Sequence, residues 1–328
     1  MSLTLTASQG ASAFPSKTLL VEDALPTVTS SNFASPQAVY DGGYVPSTVQ
    51  GIRLRIANGA AGQTGLVKAW ADSFIRYMVE KGHEPFQVPW YLSESTESLS
   101  LLSKGEVDFA LTYVPAVEAQ LIHVGDASER VYAFRDQFVL VGPKSNPAGL
   151  KDDDDIFLMI NKIVCHGHAD AANPPKDHPP TRFFSRSDRS ATNIKESLLF
   201  LTIGQLPWAL NNPSTWYLRH QCFPREALKI AASQSFYTLI DRGTWLDAAE
   251  DVTSALKAFS IGGEDPKYDP TDFLLNPAHL LCGSRLRPEN ESICKEFMKW
   301  VMADEGGQRV IDTFEKNGRV LYTRPPST

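Results

Sequence analysis

The chain has 328 residues, of which 42% are hydrophobic and 21% are charged, and its formal net charge is −7. These values are typical of a globular protein of about two domains. The acidic balance argues against nucleic acid as a partner, because binding to the phosphate backbone needs a basic face. It allows a small anion, which responds to local dipoles and one or two arginines. No run of about 18 or more apolar residues occurs, so no transmembrane segment is expected.

The N-terminal segment is poor in periodic patterns. Its first residues lack the basic and apolar regions of a signal peptide, so an extracytoplasmic or secreted location is expected only if a native signal has been removed. Residues 1–50 are rich in Ser, Thr, Ala and Pro, which predicts an extended leader with ordered structure from Gly51 onward.

Alternating strand and helix patterns follow the leader. Residues 52–56 alternate like a strand, a glycine-containing turn occupies 58–65, and a helical stripe begins at Leu66. Further on, we expect a strand near 86–91 and a polar helix over 95–104. The sequence therefore predicts an α/β opening.

The middle of the chain contains two short apolar runs, 107–114 and 138–142, which are typical of parallel strands buried on both faces. The acidic run 152–155 is interpreted as the start of a helix. Composition predicts a loop over 165–180.

Later elements continue the alternation. We expect a helix that ends near 201, strands at 236–240 and 279–282, and helices near 293–301 and 310–314. The whole pattern predicts an α/β fold with parallel sheets.

The first candidate site is the turn from Asn58 to Gly65. Two glycines in it permit unusual backbone geometry, and unpaired N–H groups at the following helix start attract an anion. The spacing matches neither the dinucleotide fingerprint nor the phosphate loop. An ordinary tight turn is the competing interpretation.

The second candidate site is the segment Ser185–Thr192, which has two arginines and three hydroxyl groups directly before an apolar helical run. Hydroxyls and free N–H groups at a helix start, with an arginine nearby, suit a tetrahedral oxyanion. Simple capping of the helix explains the same residues equally well.

Chemistry by cysteine or histidine is less favoured. The histidines of Cys165–His168, with His178, match a solvent loop better than a metal site, and the sequence has no nucleophile elbow or zinc-protease motif. The cysteines match no zinc spacing, and buried free thiols are expected for most of them. They are Cys165, Cys222, Cys282 and Cys294.

Several blocks in the same order carry a family resemblance. The strongest is 237–246, YTLIDRGTWL, which differs at one position from the YTLTDRGTWL of the family. Residues 138–149 (FVLVGP and NPAG) and 184–192 (FSRSDRSAT) also match in spacing, as does the pair Trp216 and Tyr217. The chain resembles the extracytoplasmic substrate-binding proteins of tungstate/molybdate-type transport systems.

The resemblance implies a type II periplasmic-binding-protein fold with two lobes, a mixed, mostly parallel sheet in each and an interlobe cleft. Lobe 1 would comprise residues 51–136 and 248–328, and lobe 2 residues 137–247. The protein would be no enzyme, need no cofactor or metal, and bind a small inorganic or organic anion, with a membrane transporter as a partner. The expected ligand residues are Asn58, Ala60, Ala61, Arg186, Ser190 and Thr192, with Arg242 as a weaker candidate that an internal ion pair at the hinge would also explain.

Two departures concern the ligand. The family has a first turn rich in hydroxyls, whereas 57–61 reads ANGAA here, and residues 221–227 replace a glycine-rich segment. The expected ligand is therefore an oxyanion of the tungstate/molybdate type or a relative of it. The alternatives are an enzyme on this fold that uses Cys222 or a cleft histidine, and a sensor or docking protein that has lost its ligand.

Overall fold

A computed structural model describes residues 35–209, 214–262 and 272–326. The helices are α1 (Ala60–Thr64), α2 (Leu66–Glu80), α3 (Ser95–Lys104), α4 (Pro115–Val124), α5 (Ile156–Ala172), α6 (Ala191–Thr202), α7 (Pro224–Gln234), α8 (Arg242–Leu246), α9 (Glu250–Ala255), α10 (Glu291–Met302) and α11 (Gly307–Thr313). The strands are β1 (Ala38–Tyr40), β2 (Ile56–Asn58), β3 (Val88–Leu92), β4 (Phe109–Thr112), β5 (Ala127–Pro143), β6 (Phe183–Ser185), β7 (Tyr217–Arg219), β8 (Thr238–Asp241), β9 (Leu256–Ile261), β10 (Leu275–Gly283), β11 (Glu315–Lys316) and β12 (Arg319–Val320). None of these helices is long and apolar enough to cross a membrane.

One mixed sheet organises the molecule. Its strand order is β1-β3-β2-β4-β10-β5-β8, and β9 pairs with β5 as well. Parallel pairing joins β2 to β3 and β4, and β6 to β7 in a small second sheet. The remaining six ladders of the described strands are antiparallel. The sheets are mixed as expected, but the expectation that they are mostly parallel is wrong, because β5 and β10 run antiparallel to all their partners.

Two groups of cores lie along β5. In the first, α2 and α10 pack on the sheet, with Trp70, Phe74 and Phe297 fully buried. In the second, α5 and α6 cover one face of the later strands, and α7 and α9 cover the other face. Because β5 places Phe134 in the first core and Phe138 in the second, this strand runs continuously from one group of cores to the other.

The limits expected for the lobes remain a prediction, and the packing favours one adjustment. Residues after the expected limit at 247 pack into the second group of cores: Val252, Leu256, Phe259 and Leu274. The chain returns to the first core near Ala278 in β10. A limit near residue 274 therefore fits the hydrophobic contacts better than one at 247.

The leader expected over 1–50 lies outside the described residues up to 34. Within the described part, β1 pairs antiparallel with β3, and Ala38 lies opposite Trp90. Ordered structure therefore begins before Gly51, contrary to the expectation.

Two other segments differ from their predictions. The run 138–142 is buried on both faces as expected, but it belongs to β5 and pairs antiparallel with β8 and β9. The expected loop over 165–180 is helical up to Ala172. Gly167 lies on the buried face of α5 there, and a Cβ at this position would be 2.8 Å from the ring of Trp216. The glycine serves close packing rather than a turn.

Other predictions are confirmed. The helix expected over 95–104 is α3, and the stripe from Leu66 is α2. Asp155 caps α5 by accepting a hydrogen bond from the N–H of Leu158 at 2.8 Å. The acidic run 152–155 is thus a helix start.

Candidate functional site

The first element of the site is the turn between β2 and α1. Asn58 is almost fully buried, and its amide donates to the carbonyl of Leu111 at 2.8 Å. Its Oδ1 accepts from the N–H of Gly62 at 2.6 Å. Asn58, an expected ligand residue, therefore fastens the turn to β4 with both ends of its side chain.

The second element is the loop between β6 and α6. Ser190 caps α6 by accepting from the N–H of Asn193 at 3.2 Å, and its own N–H donates to Asp188 Oδ1 at 3.0 Å. Ser187 and Arg189 adopt left-handed backbone angles, with φ of 48° and 60°. The tight loop leads directly into the twelve-residue helix α6, whose first N–H groups have no partner within the helix.

A small pocket of about 20 Å³ lies between these elements. Its size is that of about one water molecule. It is lined by Gly59, Ala60, Glu94, Ser95, Tyr113, Asp136, Arg186, Ser190, Ala191, Thr192, Pro224, Asp241 and Asn276. Residues from both lobes contribute, so the two segments singled out in the sequence share one pocket.

The expected ligand residues divide into two groups. Ala60, Arg186, Ser190 and Thr192 line the pocket. Three others do not line it: Asn58, Ala61 and Arg242. Arg242 donates through Nη1 to the carbonyls of Val320 and Leu321, at 3.1 and 2.8 Å, and so holds the C-terminal segment; its role as a ligand residue stays a prediction. The ion pair suggested within its own turn is replaced by these backbone contacts.

Arg186 is the central cation of the pocket, and only 2% of its surface is exposed. Its Nε donates to the carbonyl of Cys222 at 2.9 Å. Its Nη2 forms ion pairs with Glu94 Oε1 and Asp188 Oδ2. The guanidinium charge is thus already balanced by protein carboxylates.

Three pocket carboxylates were missed by the sequence analysis: Glu94, Asp136 and Asp241. Glu94 precedes α3 and shows no local signal. Asp136 and Asp241 do have one, because each is a fully or nearly fully buried acid in or at the end of an apolar strand, and acids are rarely buried without a purpose. Asp241 caps α8, accepting from the N–H and hydroxyl of Thr244 at 2.7 and 2.8 Å.

Burial dominates the electrostatics of these acids. It raises the pKa of Glu94 to about 7, against the opposing effect of Arg186 and reinforced by Asp188. Burial and the neighbouring Asp241 raise the pKa of Asp136 well above its usual range, and burial raises the pKa of Asp241. Burial thus shifts the protonation of each of these acids to higher pH, and a protonated acid can donate a hydrogen bond.

A buried acceptor faces the same pocket. Asn276 is 3% exposed, and its amide donates to Asp136 Oδ2 at 3.3 Å. Its Oδ1 has no hydrogen-bond partner in the part of the chain that the structure describes. An unpaired buried polar atom costs about 1–3 kcal/mol, which a water molecule that donates to it in the pocket would offset.

The cysteine and histidine candidates lie elsewhere. Cys165 and His168 are exposed on α5, and the His168 ring packs against Trp216 at 5.3 Å. No group of three or more metal-binding side chains occurs among the described residues. Cys282 and Cys294 are buried free thiols as expected, whereas Cys165 is exposed. Burial raises the pKa of Cys222 to about 11, which disfavours the reactive thiolate.

Comparisons with known proteins agree with this architecture. A profile of the PBP superfamily domain matches residues 45–305. Tungstate-binding protein TupA of Peptoclostridium acidaminophilum is 27% identical over 233 residues, which are 69% of this chain and 71% of the relative. A proposed anion-binding protein of an ABC transporter from Haloferax volcanii is 26% identical over 223 residues, 66% of this chain and 57% of the relative.

Solved structures give the same result. A periplasmic protein of proposed metal-binding function is 43% identical with a TM-score of 0.78, and the match covers 89% of this chain and all of that one. The fold is also that of tungstate-binding protein TupA from Desulfovibrio alaskensis G20, at 23% identity, a TM-score of 0.62 and coverage of 84% and 99%. The PBP superfamily profile matches most of the chain, residues 45–305, and the chain therefore belongs to the PBP superfamily.

Proposed function

We propose that the protein is a solute-binding protein that captures a small oxyanion of the tungstate/molybdate type between its two lobes, and does no chemistry on it. The observation that carries this proposal is the position of Arg186. Its buried guanidinium lies beside the first turn of α6, whose Ser190 and Thr192 line the same pocket.

The arrangement suits an oxyanion for three reasons. A helix start presents N–H donors and the positive end of the helix dipole. An arginine fork adds charged donors, each bond worth about 1.5–3 kcal/mol. The backbone at Gly59 and Ala60 faces the pocket from the first lobe. Together these groups supply donors from both sides of the anion.

The first lobe contributes side-chain hydroxyls from outside its turn, because Ser95 and Tyr113 line the pocket. Ala60 occupies a position in a turn that carries hydroxyls in the family resembled, so contacts from this turn come mainly from the backbone. Each missing hydroxyl contact to a charged ligand weakens binding by about 1.5–3 kcal/mol. We infer that the turn contributes less to oxyanion binding here than it does in that family.

The role in transport rests on the relatives. One is named as part of an ABC transporter and another as periplasmic, which supports a membrane transporter as the partner and an extracytoplasmic location. The pocket of about 20 Å³ is too small for a tetrahedral oxyanion as it stands. We infer that the lobes separate at β5 and β10 to admit the ligand.

The proposal is tested by replacing the two arginines of one loop in turn. Arg186→Gln removes the buried charge, whereas Arg189→Gln changes an exposed arginine three residues away. Tungstate, molybdate, sulfate and phosphate are added separately to each protein, and the unfolding temperature is measured. A ligand at 100 times its Kd adds about 2.7 kcal/mol of stability.

We expect at least one anion to raise the unfolding temperature of the unmodified protein and of Arg189→Gln, but not that of Arg186→Gln. Loss of the response in both variants would assign the effect to general charge rather than to the pocket. A flat response of the unmodified protein to all four anions would contradict the proposal and favour a docking protein that has lost its ligand.

A further inference from the structure

Glu94 has an unusual position for the residue that precedes a helix. Side chains at this position commonly accept a hydrogen bond from the first turn of their own helix, but Glu94 makes no such bond to α3. Its carboxylate instead contacts Arg186, 92 residues further along the chain and in the other lobe. Glu94 therefore serves the pocket rather than α3.

We propose that the Glu94 carboxylate is an internal competitor for the anion. It occupies the guanidinium of Arg186 while no ligand is bound, and an oxyanion binds only when Glu94 is displaced or neutralised. This inference rests on the proposed function, because it concerns the same site. It makes Glu94 the residue that sets the affinity and the proton dependence of anion capture.

The donors of Arg186 support direct competition. Its Nε is engaged by the carbonyl of Cys222 at 2.9 Å, and its Nη2 contacts both Glu94 and Asp188. A carboxylate offers the same charged oxygen acceptors as an oxyanion. With Arg186 buried, there is little room for a second anion on the contacts that Glu94 holds.

Electrostatic repulsion acts in the same direction. The titratable groups that influence Glu94 are Arg186 and Asp188 from the loop before α6, and Asp241 from the end of β8. Glu94 in turn affects Tyr113, after β4, and Cys222, before α7. Asp136 adds its effect through Asp241. The acids Glu94, Asp136, Asp188 and Asp241 outnumber the two arginines of this group, Arg186 and Arg242, which acts on Asp136, so an ionised Glu94 repels an incoming anion.

The size of the effect follows from the protonation of Glu94. Burial raises its pKa to about 7. If anions bind only when Glu94 is protonated, the apparent Kd rises by a factor of 1 + 10^(pH − 7), which is about 1.1 at pH 6 and about 11 at pH 8. Binding therefore weakens about tenfold between these pH values and is accompanied by proton uptake.

The test compares Glu94→Gln with Glu97→Gln, an exposed acid of the first turn of α3. Titration calorimetry with sulfate and with tungstate at pH 6, 7 and 8 gives Kd, and repetition in buffers of different ionisation enthalpy gives the protons taken up. We expect Glu94→Gln to bind about tenfold more tightly than the unmodified protein at pH 8 and about equally at pH 6. Glu97→Gln should match the unmodified protein throughout.

Three results would overturn the inference. The first is equal Kd values for Glu94→Gln and the unmodified protein at pH 8, and the second is the absence of proton uptake by the unmodified protein at that pH. The third is a loss of binding in a folded Glu94→Gln variant, which would make Glu94 a ligand contact. In each case, binding by the unmodified protein leaves the proposed function standing. If no protein binds either anion, the inference and the tungstate-type function are both wrong. The proton measurement on the unmodified protein decides the matter even if the variant fails to fold.

Discussion

Buried ionisable groups are the main residue-scale feature of the second lobe. Besides Arg186 and its acids, Glu196 lies inside α6 with 2% of its surface exposed. The hydroxyl of Tyr217 donates to Glu196 Oε1 at 2.6 Å, and burial raises the pKa of Glu196 to about 8. A carboxyl that stays neutral in the folded protein at neutral pH ties the stability of this lobe to pH.

The prediction for Glu196 has a definite sign. Its pKa is higher in the folded than in the unfolded chain, so the stability it contributes is complete below about pH 4.5 and is lost as pH rises through about 8. Glu196→Gln keeps an acceptor for Tyr217 but cannot ionise. Between pH 5 and 8 we expect the free energy of unfolding of this variant to fall by up to about 4 kcal/mol less than that of the unmodified protein.

Urea unfolding at pH 5, 6, 7 and 8 measures this difference, and Glu84→Gln, which changes an exposed acid, serves as the control. The control should follow the pH profile of the unmodified protein. Parallel profiles for Glu196→Gln and the unmodified protein would show that Glu196 is ionised in the folded state, contrary to the prediction.

At the residue scale, the groups that act through local structure are visible in the sequence. Arg186, Ser190 and Thr192 lie within seven residues before and at the start of one helix, and capping patterns are local. Glu94 was missed because its partner is 92 residues away. That the Asn58 amide bonds to Leu111 and Gly62 was not predicted, because a sequence does not show which way an amide at the end of a strand points; its role as a ligand residue stays a prediction.

At the element scale, the turn before α2 is defined by close packing. A Cβ on Gly62 would lie 2.2 Å from the ring of Trp90. That ring is buried, and its Nε1 donates to the carbonyl of Asn58 at 2.9 Å. Gly62, which the sequence suggested as part of an anion-binding turn, is therefore needed so that α1 can approach β3.

We predict that Gly62→Ala destabilises the protein. Overpacking of this kind costs about 1–3 kcal/mol, which exceeds the gain of at most about 1 kcal/mol from replacing a helical glycine. Gly51→Ala is the control, because no atom of the described residues lies within 4 Å of the point that its Cβ would occupy. Thermal and urea unfolding should show a loss for Gly62→Ala and little change for Gly51→Ala. Equal stabilities would mean that the Trp90 ring moves freely.

Element prediction succeeded where periodicity is strong. The α2 stripe and α3 were located because helical spacing persists over ten or more residues. The prediction that the run 138–142 pairs in parallel was wrong, because a short apolar run indicates burial but not which strands pair with it. The prediction ended helix α5 too early, because the histidine, glycine and alanine residues after Cys165 are typical of a loop. In the structure Gly167 packs against Trp216 within the helix.

At the scale of the whole molecule, the two lobes are joined in two different ways, by the strand β5 and by contacts at the pocket. β5 connects the two groups of cores continuously, whereas the pocket joins the lobes by side-chain contacts. In the pocket Glu94 contacts Arg186, and outside it Arg225 Nη2 donates to the carbonyl of Gln63 at 2.9 Å. This closed arrangement of the lobes rests on contacts that a few substitutions can remove.

The last prediction concerns this closed form. Glu94→Ala removes the ion pair with Arg186 between the lobes, so we expect the ligand-free variant to open and its radius of gyration in small-angle X-ray scattering to exceed that of the unmodified protein. Saturating tungstate should compact the variant more than the unmodified protein, because the anion then replaces the missing carboxylate on Arg186. Glu97→Ala, on the exposed side of α3, should scatter like the unmodified protein. Identical radii for all three ligand-free proteins would show that other contacts hold the lobes together.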